Sequence, residues 1–286
     1  MRDLRLLART VAQGARMGEH ASRQRGIGAE FAQYRAYEPG DEINKIDWKL
    51  YARSQRHFVR EAERESDINI WLLVDCSASM QETCVHTGLS KLDFARIFAA
   101  ALGHIACFQG DSVGIVGLSV NSSGYMPAMP GVQHFNRCLV SLQNLQSGNV
   151  FPDVTQLQSQ LAMARKNSII FLLSDFFQQR TEVTEVIRQL SSRQTAIHPI
   201  QLFTEQEAQF SYQGRLEFED RETGERIKVN AETVKQEYLH NRQMYFATLE
   251  RQLLSLDCRL HSVNIATPVG SALREMVALM KWQERR

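Results

Sequence analysis

Ile68-Asn69-Ile70-Trp71-Leu72-Leu73-Val74-Asp75-Cys76-Ser77-Ala78-Ser79 is the stretch on which the fold turns. Its first seven residues are apolar almost without a break. A strand buried on both faces needs this pattern, because neither side of its pleat meets water. The run then stops at an acid followed by two hydroxyl residues. Downstream, Leu92, Ala95, Phe98, Ala99, Leu102, Ile105 and Ala106 recur at helical spacing within 91–108. Gly110-Asp111 closes that helix, and Val113 to Leu118 reads as a second strand.

Further on, the same rhythm predicts helices near 132–143, 153–165, 181–192, 231–256 and 270–282. Strands are expected at 168–173, 196–203 and 259–265, and Pro127 and Pro130 reduce 124–129 to a short edge strand. This alternation predicts an α/β fold: a mostly parallel sheet with helices on both faces. Residues 212–230 interrupt it. Leu216-Glu217-Phe218-Glu219 alternates, Thr223-Gly224 turns and Ile227-Lys228-Val229 returns, so a β-hairpin is expected in an insertion at about 205–230. We divide the chain into an N-terminal segment, 1–66, which is charged and turn-rich, and an α/β domain, 67–286. A weak amphipathic helix over 2–16 is expected to pack on its own domain.

With 286 residues the chain can bury a large core without staples. Lys and Arg number 33 against 32 Asp and Glu, which argues against a nucleic-acid binder. The arginines at 16, 23, 25 and 53–64 are interleaved with Glu61, Glu63 and Glu65, so they read as a solvated mixed-charge face rather than a membrane or nucleic-acid scaffold. The five cysteines form no C-x-x-C pair and suggest a reducing compartment. No apolar run approaches the roughly 18 residues of a membrane span, and Arg9 cuts the Leu6-Leu7-Ala8 stretch that a signal peptide would extend. A cytoplasmic protein without stable membrane insertion is expected.

In an open parallel sheet, ligands bind outside the carboxyl ends of the strands. Asp75-x-Ser77-x-Ser79 follows one buried strand, and Ser174-Asp175 follows another. Three oxygen side chains at alternate positions can aim at one point, with Asp175 facing them from the next strand. A hydroxyl-rich, hard-oxygen set suits Mg²⁺; alternatively, Asp75 and Ser77 simply cap a loop. Gly110-Asp111-Ser112-Val113-Gly114 matches a nucleophile elbow, but it has a helix before it and a strand after it, the reverse of what an elbow needs. Gly26-Ile27-Gly28 lacks the third glycine of a dinucleotide site.

The Asp75-x-Ser77-x-Ser79 strand end, the Lys91/Ala95 helix and the later Ser174-Asp175 resemble a von Willebrand factor A domain. Gly18-x-His20-x-Ser22, Gly26-Ile27-Gly28-Ala29-Glu30-Phe31, Arg35-x-Tyr37-x-Pro39-Gly40-Asp41, Ile46-Asp47-Trp48 and Ala52-Arg53 extend the likeness. Together they resemble the bacterial domain-of-unknown-function family 58, over essentially the whole chain. The resemblance implies a metal-ion-dependent adhesion site, with Mg²⁺ or Mn²⁺ on Ser77 and Ser79. Asp75 and Asp175 would act directly or through water, and a partner's Glu or Asp would complete the shell. It also implies a non-enzymatic interaction module whose partner is a MoxR-type AAA+ ATPase, in complex assembly or activation. The adhesion site's loop threonine is missing: Ser147-Gly148-Asn149-Val150-Phe151-Pro152-Asp153 reaches none before Thr155, and Asn149 or Ser147 is the expected substitute. The alternative function is a metal-dependent phosphoesterase using the same carboxylates, although no neighbouring base offers itself. Pro39-Gly40-Asp41 reads as a turn. Trp48 either packs on the core or docks the partner.

Overall fold

The computed structural model describes residues 4–17, 33–36, 51, 53, 58–61, 68–120, 124–148, 150–164, 167–178, 181–191, 195–219, 221 and 224–283. In chain order the elements begin with α1 (Leu4–Met17), β1 (Gln33–Ala36), β2 (Phe58–Glu61), β3 (Asn69–Asp75) and a 3-10 turn at Ala78–Gln81. Then come α2 (Lys91–Gln109), β4 (Ser112–Leu118), β5 (Met126–Met129), α3 (Val132–Asn144), α4 (Val154–Met163), β6 (Ser168–Ser174), α5 (Glu182–Leu190) and β7 (Thr195–Phe203). The chain continues with α6 (Glu205–Gln209), β8 (Arg215–Glu219), β9 (Arg226–Asn230), α7 (Ala231–Leu254), β10 (His261–Asn264) and α8 (Val269–Gln283).

Six strands form one sheet in the order β10-β7-β6-β3-β4-β5, parallel except for the edge strand β5. The α/β class, the parallel sheet and the inserted hairpin are as the sequence pattern requires. The hairpin is β8 and β9, paired antiparallel with Phe218 opposite Ile227. The motif at 18–31, Pro39-Gly40-Asp41 and Trp48 lie outside the described residues.

The apolar run 70–74 divides by its period of two. Ile70, Leu72 and Val74 join a core with residues of α1, α2, α3 and α8; Trp71 and Leu73 join a second core with α4, α5 and α7. Helix α2 starts at the Ser90 cap, whose hydroxyl accepts the Asp93 N–H, and ends at Gly110, with φ 88°. Its alanines 95, 99, 100, 101 and 106 are buried, which lets the helix lie close to the sheet. Gly114 stands opposite Trp71, and a Cβ there would come within 2.7 Å of the indole. Leu4, Ala8 and Ala12 of α1 are buried, and α1 packs on α2 and α8.

The strand order locates the site. From β3 the chain moves outward to β4, then returns across β3 to β6 and proceeds the other way. The helix that follows β3 therefore packs in one core, and the helix that follows β6 packs in the other. The strand order reverses between β3 and β6, and a crevice opens there at the carboxyl ends. Asp75 and Ser174 are the last residues of those two strands.

Candidate functional site

Asp75 continues the 71, 73, 75 face of β3, and Ser174 continues the 170, 172, 174 face of β6. Parallel pairing of β3 with β6 makes these side chains neighbours, and the Ser174 hydroxyl donates to Asp75 Oδ2 at 2.6 Å. Asp75 Oδ1 accepts the Ser77 backbone N–H at 2.8 Å, a local turn that curls the chain into the 3-10 segment. That curl brings Ser77 Oγ and Ser79 Oγ to 3.0 Å. Asp75 is 2% exposed. Burial, and then the neighbouring Asp175 charge, push its pKa up to about 6, partly offset by the hydrogen bonds from Ser174 and Ser77.

Asp175 reaches the same rim and is 1% exposed. Its Oδ1 accepts the Phe177 N–H at 3.1 Å, and its Oδ2 receives the Lys91 ammonium at 3.2 Å. Lys91 opens α2 and is itself 1% exposed; its Nζ also reaches Glu207 Oε1 at 2.5 Å and lies 5.8 Å from the centre of the Phe177 ring. Burial works to lower the lysine's pKa, but Asp175 and Glu207 outweigh it and hold it above the ordinary value. Glu207 Oε2 accepts the Thr204 N–H at 2.8 Å, and Thr204 Oγ1 accepts the Glu207 N–H, a capping box that fixes the carboxylate.

The loop after α3 comes to the rim as well. Gly148 N–H donates to Cys76 O at 2.6 Å, and the Ser147 hydroxyl donates to Ser77 O at 3.0 Å. Ser147 thus bonds to backbone. Asn149 lies outside the described residues. On the other side Ser79, Asp175 and Glu207 border a cleft of about 530 Å³ with Glu82, Phe177 and Tyr238. Arg221, beyond β8, donates to Glu82 at 3.2 Å, so the insertion forms one side of this cleft. Tyr245 of α7 holds the β6 end by donating to Phe176 O at 2.7 Å.

Two oxygens at right angles on one Mg²⁺, each 2.0–2.1 Å away, lie about 2.9 Å apart. The 3.0 Å between Ser77 Oγ and Ser79 Oγ fits that edge. Asp75, with one donor on each oxygen, keeps acceptor capacity beside them. Asp175 also has one donor on each oxygen, but one of them is the Lys91 ammonium, whose charge offsets the carboxylate's and opposes a divalent ion beside it, so Asp175 does not fit as a free ligand. Among the described residues no three His, Cys, Asp or Glu side chains cluster as a metal site, so an ion here would rest on hydroxyls.

The sequence reading placed Asp75, Ser77, Ser79 and Asp175 together, and the structure joins them. It passed over Ser174 as a contact and Glu207 altogether. The Thr204-x-x-Glu207 spacing carried a capping-box signal for the latter, but nothing local tied it to Lys91.

The family described as Protein of unknown function DUF58 matches residues 33–245. Uncharacterized proteins of Mycobacterium tuberculosis and Mycobacterium bovis are 26% identical over 181 residues, covering 62% of this chain and 56% of theirs. The chain therefore spans about half the length of these relatives. Among solved structures, the conserved hypothetical protein BatB from Bacteroides thetaiotaomicron is 10% identical and covers 75% of this chain and 98% of its own, with a TM-score of 0.42. The VWA domain of SpRpn10 is 15% identical over 72% and 93%, with a TM-score of 0.37. Among the described residues no helix is long and apolar enough to cross a membrane.

Proposed function

The chain belongs to the DUF58 family, and from that premise we propose that it is a non-enzymatic protein-interaction module working through the carboxyl rim of its sheet. A divalent ion, Mg²⁺ or Mn²⁺, would be held by Ser77 and Ser79 with Asp75 behind them, and by Asn149 from the loop after α3. When bound, it would offer an open coordination position to a carboxylate of the partner. The partner we propose is a MoxR-type AAA+ ATPase, in the assembly or activation of a complex, in the cytoplasm.

The observation that carries this reading is the 3.0 Å separation of Ser77 Oγ and Ser79 Oγ at the strand-order reversal, with a buried carboxylate beside them. Such an arrangement preorganises hydroxyl oxygens without neutralising a metal's charge, which leaves the ion attractive to an incoming acid. The chain's own side chains do the positioning: Ser174 and the Ser77 N–H fix Asp75, and the 3-10 turn fixes the two hydroxyls.

The test is binding of the purified chain to a MoxR-type ATPase in Mg²⁺ and in EDTA. Binding should require the metal and fall at least tenfold in Asp75→Ala. Equal binding in EDTA, or by Asp75→Ala, would refute the metal bridge. Mn²⁺-dependent phosphoester turnover that Asp175→Asn abolishes would replace this reading with the enzymatic one.

A further inference from the structure

Lys91 is an expensive residue where it stands. It is 1% exposed, so its ammonium has lost its hydration. It also occupies the first turn of α2, where the helix dipole disfavours a cation. An apolar side chain would fill the place without either cost. Two carboxylates from distant parts of the chain converge on it: Asp175 from the β6 end at 3.2 Å, and Glu207 from α6 at 2.5 Å. Both are held by further hydrogen bonds, Asp175 by the Phe177 N–H and Glu207 by its capping box. The rim thus contains three buried or half-buried carboxylates, Asp75, Asp175 and Glu207, with one ammonium among them.

We infer that Lys91 is a cation built into this rim, occupying Asp175 so that this carboxylate is withheld from any divalent ion, which Ser77, Ser79 and Asp75 hold without it. The inference rests on the metal-binding reading above and adds to it the residue that keeps Asp175 out of the site. It makes the lysine, rather than the number of acids nearby, the residue that sets metal affinity. A divalent ion entering beside the hydroxyls meets a fixed positive charge on the neighbouring carboxylate, and the site is weak by construction. Removing the ammonium frees Asp175 and removes the repulsion together.

The probe is Mn²⁺ alone, titrated by calorimetry into the full chain and its variants, with thermal unfolding recorded in EDTA and in Mn²⁺. Lys91→Met should bind Mn²⁺ at least tenfold more tightly than wild type, and Mn²⁺ should recover much of the melting temperature it loses in EDTA. Asp175→Asn should bind within about threefold of wild type, and Asp75→Asn should lose at least tenfold. If Lys91→Met does not fold, Lys91→Met/Glu207→Gln removes an opposite charge with the ammonium and should show the same gain. No tighter binding in the lysine variants overturns the inference. So does a loss in Asp175→Asn as large as that in Asp75→Asn. Binding by Lys91→Met with none by wild type upholds the lysine's role in withholding Asp175 and refutes both the three-ligand site and the metal bridge in the native protein, so the two failures are separable.

Discussion

Two pairs of like-titrating side chains are buried or half-buried along this sheet, and the structure keeps each from accumulating charge in its own way. At the carboxyl rim, Asp75 at the end of β3 and Asp175 just after β6 are close enough for the charge of Asp175 to oppose that of Asp75, and the rim imports donors: hydroxyl and N–H for Asp75, an ammonium for Asp175. On β7 and β10, the rings of His198 and His261 lie 6.0 Å apart, and Phe171 stacks on His198 at 5.2 Å. No cation has to be imported there. Burial, and then His261, lower the His198 pKa to about 4, and burial, then Arg259, lowers that of His261, so both rings favour the neutral form. Burial forces neutralisation in both places. Imidazoles achieve it by giving up protons near neutral pH, whereas carboxylates need partners, and partners at a strand-end crevice are what a binding site is made of.

Breaking the rim's solution should have the largest effect. Lys91→Met leaves Asp175 and Glu207 facing each other and should cost about 3–5 kcal/mol in denaturant unfolding without metal. A loss below about 1 kcal/mol would mean that the ion triad is not what holds α6 against the β6 end.

The two pairs should also respond to acid with opposite signs. The folded-state pKa of Asp75 lies above its unfolded value, so the native state binds more protons between pH 4 and 6. This group therefore adds stability as pH falls through that window. The folded-state pKa of His198 lies below its unfolded value. Its contribution is intact above about pH 6.5 and is lost as pH falls toward 4. Subtracting the Asp75→Asn curve and the His198→Leu curve from wild type should expose slopes of opposite sign, each amounting to no more than about 3 kcal/mol over its window. Slopes of the same sign would break the comparison.

Ser174→Ala sharpens it at smaller scale. The variant removes one donor from Asp75 and leaves the ammonium at Asp175 untouched, for a cost of about 1–2 kcal/mol and no loss of the Lys91 pairing. A loss as large as that of Lys91→Met would show that the two tips are one cooperative network.

Much of this architecture was legible in the residues. The apolar run 70–74 announced a strand buried on both faces because both of its faces are core, and the hairpin at 215–230 announced itself by alternation and a turn. Asp75, Ser77 and Ser79 were legible because a local turn places them, and Asp175 because it directly follows a buried strand. The salt bridge was not legible. Lys91 and Glu207 lie 116 positions apart, and the pairing arises only when the insertion folds back over the rim. Helical periodicity marked Lys91 as the start of α2 and gave no sign that it was buried. The short α6 escaped the periodicity argument because five residues are too few to show a face, although its capping box was readable.

Crystals grown in excess Mn²⁺, with diffraction recorded for the anomalous signal of manganese, test the central claim most directly. The account predicts one peak bounded by the oxygens of Ser77, Ser79 and Asp75, with the Lys91 ammonium still on Asp175. A peak ligated by Asp175 with Lys91 displaced, or no peak at the rim, would contradict it.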